Sequence, residues 1–269
     1  MPELPDLENI VGFLNSSLPG LAVESVEVRQ PLVIRQPAIS SFGDALKGKV
    51  FLPLRRRGKF LLLPFTSRDV LAINPMLTGR LQYCAPGEKA PMRVCFLLSL
   101  SNGMQLRYLD RNLMGKVYLL PEEDLRKIPR FSEMAPEALG PEVTLELFQK
   151  RLKRHPGMIK NILVNDRFLA GIGNAYADEI LFEAGIHPYR ARPRLSAQEI
   201  AGLYSAMHKV LTEATEEVGS RMGGQIHVKF RGFLQVHGKG GQPCPRCGST
   251  ISQITANQRL TNFCRHCQK

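Results

Sequence analysis

The sequence predicts an α+β protein of several domains, and three observations predict it. Between Ala22 and about Leu120, short apolar segments are separated by Gly, Pro and Ser clusters, which is the patterning of strands. After Gly140 the apolar spacing changes to that of helices. Near the end stand two Cys-x-x-Cys pairs, Cys244/Cys247 and Cys264/Cys267, with sixteen residues between them. A β-rich domain, a helical domain and a small metal-held ribbon follow from these three stretches.

In chain order, Asp6 to Leu18 reads as a first helix. Asp6 is its candidate N-cap, and Ile10, Val11, Phe13, Leu14 and Leu18 give its apolar stripe. Strands are expected over 23–28, 60–63, 70–73, 94–100 and 116–120, followed by a Pro-rich, charged linker over 121–140. Val143, Leu145, Phe148 and Leu152 fit one helix, and Ile159, Ile162 and Leu163 a second. Residues 175–184 fit a third, and Ile200, Leu203, Met207 and Leu211 a long fourth. The Gly171-Ile172-Gly173-Asn174 turn between the second and third offers backbone N–H groups and a helix dipole to an anion. It lacks the preceding strand and third glycine of a dinucleotide fingerprint.

Four cysteines within 24 residues, in two turns joined by enough chain for a β-hairpin, match a closed tetrahedral zinc site. Zinc could serve there as a terminal staple or hold a contact arm in place. The ribbon carries Arg259, and no acidic residue occurs from Gly219 to Lys269. Cys84 and Cys95 lie in strand-like stretches and read as buried thiols. With 43% hydrophobic residues the chain has cores to bury, and no apolar run approaches the ~20 residues of a membrane span. A net charge of +12, in blocks at Arg55–Arg57 with Lys59, at Lys150–Arg154 and at Arg190–Arg194, points to a polyanionic partner. The acidic, proline-rich start is unlike a signal peptide, so a cytoplasmic location is expected.

Pro2 and Glu3 carry a specific chemistry. Aminopeptidases remove Met1 before a small residue, and the secondary amine left on Pro2 would have a neutral, nucleophilic fraction near neutral pH. Attack on an aldehyde-level carbon would give an iminium ion, an electron sink for elimination.

Four separated motifs, in order over essentially the whole chain, resemble the formamidopyrimidine-DNA glycosylase and endonuclease VIII family. They are Met1-Pro2-Glu3-Leu4-Pro5-Asp6, Arg57-Gly58-Lys59, the segment Leu169 to Glu179, and the segment Gln258 to Gln268. The resemblance implies an N-terminal helix with a catalytic β-sandwich over 1–125 and a helix–two-turn–helix DNA-binding domain over 126–220. It implies a substrate loop and Cys₄ zinc finger over 221–269. It implies a base-excision repair glycosylase with abasic-site lyase activity, working by β- and δ-elimination on damaged double-stranded DNA. The enzyme would be a nucleoid-associated monomer with one structural zinc. Pro2 would be the nucleophile on C1′ of a flipped nucleotide and Glu3 a general acid on the sugar. Lys59 would sit by the lesion phosphate, Asn174 and Arg259 would clamp flanking phosphates, and Lys160 is a further candidate phosphate contact. Two other classes fit part of this sequence: a catalytically silent binder of damaged or gapped DNA, and an unrelated zinc-ribbon protein. The latter needs none of Pro2, Glu3, Lys59, Asn174 and Arg259.

Three departures from the family pattern bear on the substrate. Where relatives often read His-Leu-Gly-Met-Ser/Thr-Gly, this chain has Asn74-Pro75-Met76-Leu77-Thr78-Gly79, so Leu77, with Met76 beside it, is the candidate wedge into the helix. Where the formamidopyrimidine branch has Asp-Pro-Arg-Arg-Phe-Gly, this chain has Asp110-Arg111-Asn112-Leu113-Met114-Gly115. Asn112 then faces the orphaned base and Met114 replaces the phenylalanine wedge. Asparagine both donates and accepts, whereas arginine only donates, so a preference for cytosine opposite the lesion is not implied. Residues 219–233 lack the family's Ser-x-Gly-x-x-Gly-x-Phe loop over 8-oxoguanine. Oxidised pyrimidines, ring-opened purines and abasic sites are equally open as substrates.

Overall fold

In the computed structural model, residues 1–36, 42–256 and 259–269 are described. They form two compact units. One comprises Met1–Ser132 with Glu217–Lys229, the other Glu133–Glu216 with Phe230–Lys269. Gln258, the first residue of the fourth motif, lies outside the described residues.

The first unit begins with helix α1 (Leu4–Asn15), which buries Leu4, Leu7, Ile10, Val11 and Leu14. It starts earlier than the expected Asp6, for a clear reason. Glu3 is the N-cap and Asp6 the third helical residue, and the two side chains satisfy each other's backbone N–H groups as a capping box. The Glu3 N–H donates to Asp6 Oδ2 at 2.8 Å.

Nine strands follow: β1 (Val23–Val28), β2 (Ile34–Gln36), β3 (Arg55–Arg57), β4 (Phe60–Pro64), β5 (Asp69–Asn74), β6 (Arg80–Cys84), β7 (Val94–Leu100), β8 (Gln105–Leu109) and β9 (Lys116–Pro121), with a short helix α2 (Phe42–Leu46) between β2 and β3. They build the β-sandwich from two sheets, ordered β1-β7-β8-β6 and β2-β9-β5-β4-β3. All pairings are antiparallel except β2 with β9. The five expected strands are all present, and β4 is buried along its whole length. The strands that periodicity did not signal, β2, β3, β6 and β8, are short or carry charge inward. On β8, buried Arg107 donates to the carbonyls of Glu88 (2.7 Å) and Pro86 (2.8 Å), so its charge-bearing head closes the β6–β7 loop instead of breaking the strand. Cys84 and Cys95 are buried free thiols, and burial raises both, Cys95 to about 12. The expected linker contains a 3₁₀ turn, Glu122–Lys127.

In the second unit, α3 (Leu145–Lys153) is capped by Thr144, whose hydroxyl accepts from the Leu147 N–H at 3.2 Å. It is followed by α4 (Ile159–Leu163), α5 (Asn174–Glu183) and α6 (Ala197–Met222), whose residues from Glu217 onward belong to the first unit. Phe148 of α3 packs edge-on to Phe168 and Tyr204, with centroids 5.2 and 5.6 Å away. A two-stranded hairpin, β10 (Ser252–Ala256) and β11 (Arg259–Phe263), joins the cysteine turns, pairing Ser252 with Phe263 and Ala256 with Arg259. No helix among the described residues is long and apolar enough to cross a membrane.

Candidate active site and nucleic-acid interface

In the first unit, Pro2 and Glu3 are buried at the N-terminus of α1. While Met1 is attached, the Pro2 nitrogen is an amide; its removal creates the secondary amine. The helix cap described above fixes Glu3 beside it. One guanidinium ties this corner together. Arg56, on β3, donates from Nη2 and Nε to Glu8 Oε1 of α1 at 2.6 and 2.9 Å, and from Nη1 to the Gly58 carbonyl at 2.8 Å. Gly58, at φ +55°, turns β3 into β4 and sets Lys59 in the turn. The helix bearing Pro2 and Glu3 and the turn bearing Lys59 are thus braced by the same residue. Lys59 is 6% exposed. Arg55 pairs with Glu122, so the arginine block read from sequence as a polyanion surface is partly committed inside the unit.

The β5–β6 loop carries Met76 at φ +50°, its N–H donating to Asn74 Oδ1 at 3.0 Å, and Leu77 at its tip. Leu77 is 52% exposed and Met114, in the β8–β9 loop, 40%; Met76 is half-buried and Asn112 exposed. Exposing two such side chains to water is unfavourable in the free protein, which suits groups with another apolar surface to meet.

In the second unit, Asn174 opens α5 after Gly173, and its Nδ2 donates to the Leu260 carbonyl at 2.7 Å. Leu260 follows Arg259 on β11, and Arg259 is exposed. Lys160 meets the same carbonyl at 3.0 Å, Thr261 Oγ1 at 2.7 Å and Asp178 Oδ1 at 2.6 Å. Lys160, expected at a phosphate, is here turned to oxygens of its own chain. Lys160 is 3% exposed, and its ammonium is enclosed by oxygens of this chain because a buried charge must be paired.

Two carboxylates on α5 went unnoticed in the sequence. Asp178 also accepts from His237 Nδ1 at 2.7 Å and the Asn262 N–H at 3.1 Å. Glu179 accepts three consecutive backbone N–H groups, Gln235, Val236 and His237, at 2.7–2.9 Å. Burial nonetheless raises Glu179, against those hydrogen bonds. The available signal was two adjacent acids in the middle of a mostly apolar helix.

The ribbon's four sulfurs all lie within 4.8 Å of one another, with Cys244 3.8 Å from Cys267 and Cys247 3.5 Å from Cys264. A tetrahedron of ~2.3 Å zinc–sulfur bonds has edges of about 3.8 Å, so the donor set fits zinc. The thiols also need a cation. Ser249 hydrogen bonds lower Cys247 to about 6, while burial and its sulfur neighbours push Cys267 up to about 12. Four thiolates at this spacing call for a cation between them, and the set could bind one zinc ion. Phe182, Val236 and Ile251 bury Cys244 and Cys264, and Arg246 lies 4.2 Å over the Phe182 ring while donating to the Phe182 carbonyl at 2.8 Å.

Three family models match the chain: the formamidopyrimidine-DNA glycosylase N-terminal domain over residues 1–117, the formamidopyrimidine-DNA glycosylase H2TH domain over 134–224, and the zinc finger found in FPG and IleRS over 241–269. The chain is 38% identical over 274 residues to a formamidopyrimidine-DNA glycosylase of Pelotomaculum thermopropionicum, covering 100% of this chain and 99% of that one. It is 37% identical over 275 residues to that of Desulforamulus reducens, with the same coverage. Among solved structures, it is similar to a Lactococcus lactis FPG in complex with Fapy-dG-containing DNA, with TM-score 0.89, 27% identity and coverage of 99% and 100%. It is also similar to the Lactococcus lactis enzyme in complex with DNA containing an abasic site, with TM-score 0.90, 26% identity and coverage of 99% of each chain.

Proposed function

Since the chain belongs to the formamidopyrimidine-DNA glycosylase family, we propose that its reaction is carried by Pro2 and Glu3 in the following way. The protein is a base-excision repair DNA glycosylase, and its substrate is DNA with a damaged base. Loss of Met1 frees the Pro2 amine, which attacks C1′ of an extruded nucleotide; the C1′–N bond to the base breaks and the base leaves with a proton. Glu3 protonates O4′ as the sugar ring opens, leaving an iminium between Pro2 and C1′. The iminium acidifies C2′, so that loss of a C2′ proton expels the 3′ phosphate. A second elimination through the conjugated imine expels the 5′ phosphate, and water releases the proline. Zinc holds the ribbon that carries Arg259.

Lys59 serves the lesion phosphate, while Asn174 and Arg259 grip flanking phosphates. Asn174 has a second Nδ2 hydrogen besides the one given to Leu260. Leu77 and Met114 fill the space left by the extruded nucleotide, with Asn112 at the orphaned base. The catalytic part is 1–125, the helical DNA-binding part 126–220, and the substrate segment and zinc finger 221–269. A net charge of +12 supports work on DNA. The protein acts there as a nucleoid-associated cytoplasmic monomer.

The observation that carries this reading is a proline at position two, followed by a glutamate that the α1 cap holds in place. Borohydride trapping on abasic-site DNA tests it. We expect a covalent adduct, mapped to the N-terminal peptide, that disappears when Met1 is retained or Pro2 is acetylated. A lasting adduct mapped to a lysine would overturn the proline route.

A further inference from the structure

The two loops bearing Leu77 and Met114 are separated by more than thirty residues of sequence, yet they share one buried carboxylate. Asp110 is fully buried at the start of the β8–β9 loop. Its Oδ1 accepts the Thr78 hydroxyl of the other loop and the Asn112 N–H at 3.1 Å; its Oδ2 accepts the Gly115 N–H at 2.7 Å. The Asn112 N–H also lies 3.3 Å from Thr78 Oγ1, closing the link between the loops. Beneath them stands the buried Tyr108, whose hydroxyl occupies the space that a Cβ on either Gly79 or Gly115 would need. These glycines are the last residues of the two loops. A single carboxylate and a single phenol ring therefore fix both loop ends.

The positions within this frame explain what is exposed. Thr78 is the neighbour of Leu77, and Gly115 is the neighbour of Met114. Met76 and Leu113 take left-handed φ values of +50° and +55°, an unfavourable conformation for non-glycine residues that the hydrogen-bonded frame maintains. Among the described residues of the first unit only Leu32, Leu52, Leu77 and Met114 are large, apolar and exposed. Two of these four are presented by the same brace.

We propose that Asp110 is a positioning residue that, through Thr78 and over Tyr108, locks the Leu77 and Met114 loops into one double wedge that enters the duplex as a unit. The inference rests on the reading of Leu77 and Met114 as wedges. It adds that they do not act independently. A wedge on a loose loop must be ordered as it enters the stack, and that entropy opposes binding; a pre-organised pair avoids it. The energetic signature is coupling between residues that do not both touch DNA.

Thr78 gives the mildest test, because Thr78→Val keeps the shape and removes only the hydroxyl, whereas Asp110→Ala empties a buried carboxylate site. The probe is a duplex with a chemically stable tetrahydrofuran abasic analogue opposite 2-aminopurine, whose fluorescence rises when a wedge unstacks it. Leu77→Ala and Met114→Ala should each reduce that rise and weaken binding about tenfold, the equivalent of ~1.4 kcal/mol. Thr78→Val should do the same with both wedges present, and Thr78→Ser should restore the wild-type signal. In the Leu77→Ala/Met114→Ala background, Thr78→Val should change nothing further. A wild-type signal in Thr78→Val, or an equal further loss in the wedge-less background, overturns the brace while leaving the wedges standing. Wild-type signals in both Leu77→Ala and Met114→Ala overturn the wedge reading itself.

Discussion

Gly79 and Gly115 are glycines for want of space. Neither has a positive φ, so no backbone strain demands glycine there; the Tyr108 hydroxyl does at both, joined at Gly79 by the Pro75 backbone. Adding a methyl group forces a well-packed buried ring to move, which costs about 1–3 kcal/mol. Gly115→Ala should therefore lower the urea unfolding free energy by about that amount. A change within ~0.5 kcal/mol would show that the ring yields and the packing there is slack. Gly103, at φ +78° with open space around it, offers the contrast, since alanine there meets only conformational cost. At this scale the sequence revealed the residues that face outward. Leu77 and Met114 could be placed by aligning loop glycines. Asp110 could not be seen as a brace, because its partner Thr78 lies 32 residues earlier and the spacing of strands, not of residues, brings them together.

At the scale of elements, the meeting of α4, α5 and β11 shows how a buried lysine can hold the strand that carries Arg259. Lys160 and Asn174 both donate to Leu260, the residue after Arg259, and Asp178 compensates the lysine's charge. Removing the lysine leaves a buried carboxylate with only His237 and a backbone N–H, so Lys160→Met should destabilise the protein by about 3–5 kcal/mol. Stability alone does not separate a strut from a DNA contact; salt dependence does. Abolishing one protein–phosphate interaction reduces the slope of log K against log salt by about 0.9. Arg259→Ala should show that decrease. Adding Lys160→Met to Arg259→Ala should leave the slope where Arg259→Ala put it, whereas a second decrease of the same size would make Lys160 a phosphate contact after all. Helical periodicity made α3 to α6 legible. It could not foretell the burial of Lys160, because two of the oxygens that enclose it belong to Leu260 and Thr261, 100 and 101 residues further on. A lone lysine on a short helix looks the same whether it faces water or a hairpin.

For the whole molecule, net charge was a sound pointer to a polyanion but a poor map of where it binds. Arg56 is committed to Glu8, Arg190 to Glu199, Arg246 to Glu183 and Lys160 to Asp178. The exposed Arg259 stands out by contrast, and its place depends on the metal ribbon. Cys244 and Cys264 belong to a small cluster with Phe182, Val236 and Ile251, all within the second unit. Structural zinc supplies folding free energy directly, so its removal should unfold the ribbon first. The neighbouring thiols, no longer held around a cation, would then have nothing to keep them together. Chelation should abolish binding to abasic-site DNA at temperatures where the circular dichroism of the β-sandwich is unchanged, and thermal melting should split into two transitions. Zinc added back, but not magnesium, should restore binding, because four thiolates at this spacing select a tetrahedral, thiophilic ion. A single cooperative transition after chelation would mean that the ribbon staples the fold together, and the role of zinc in presenting Arg259 would have to be given up.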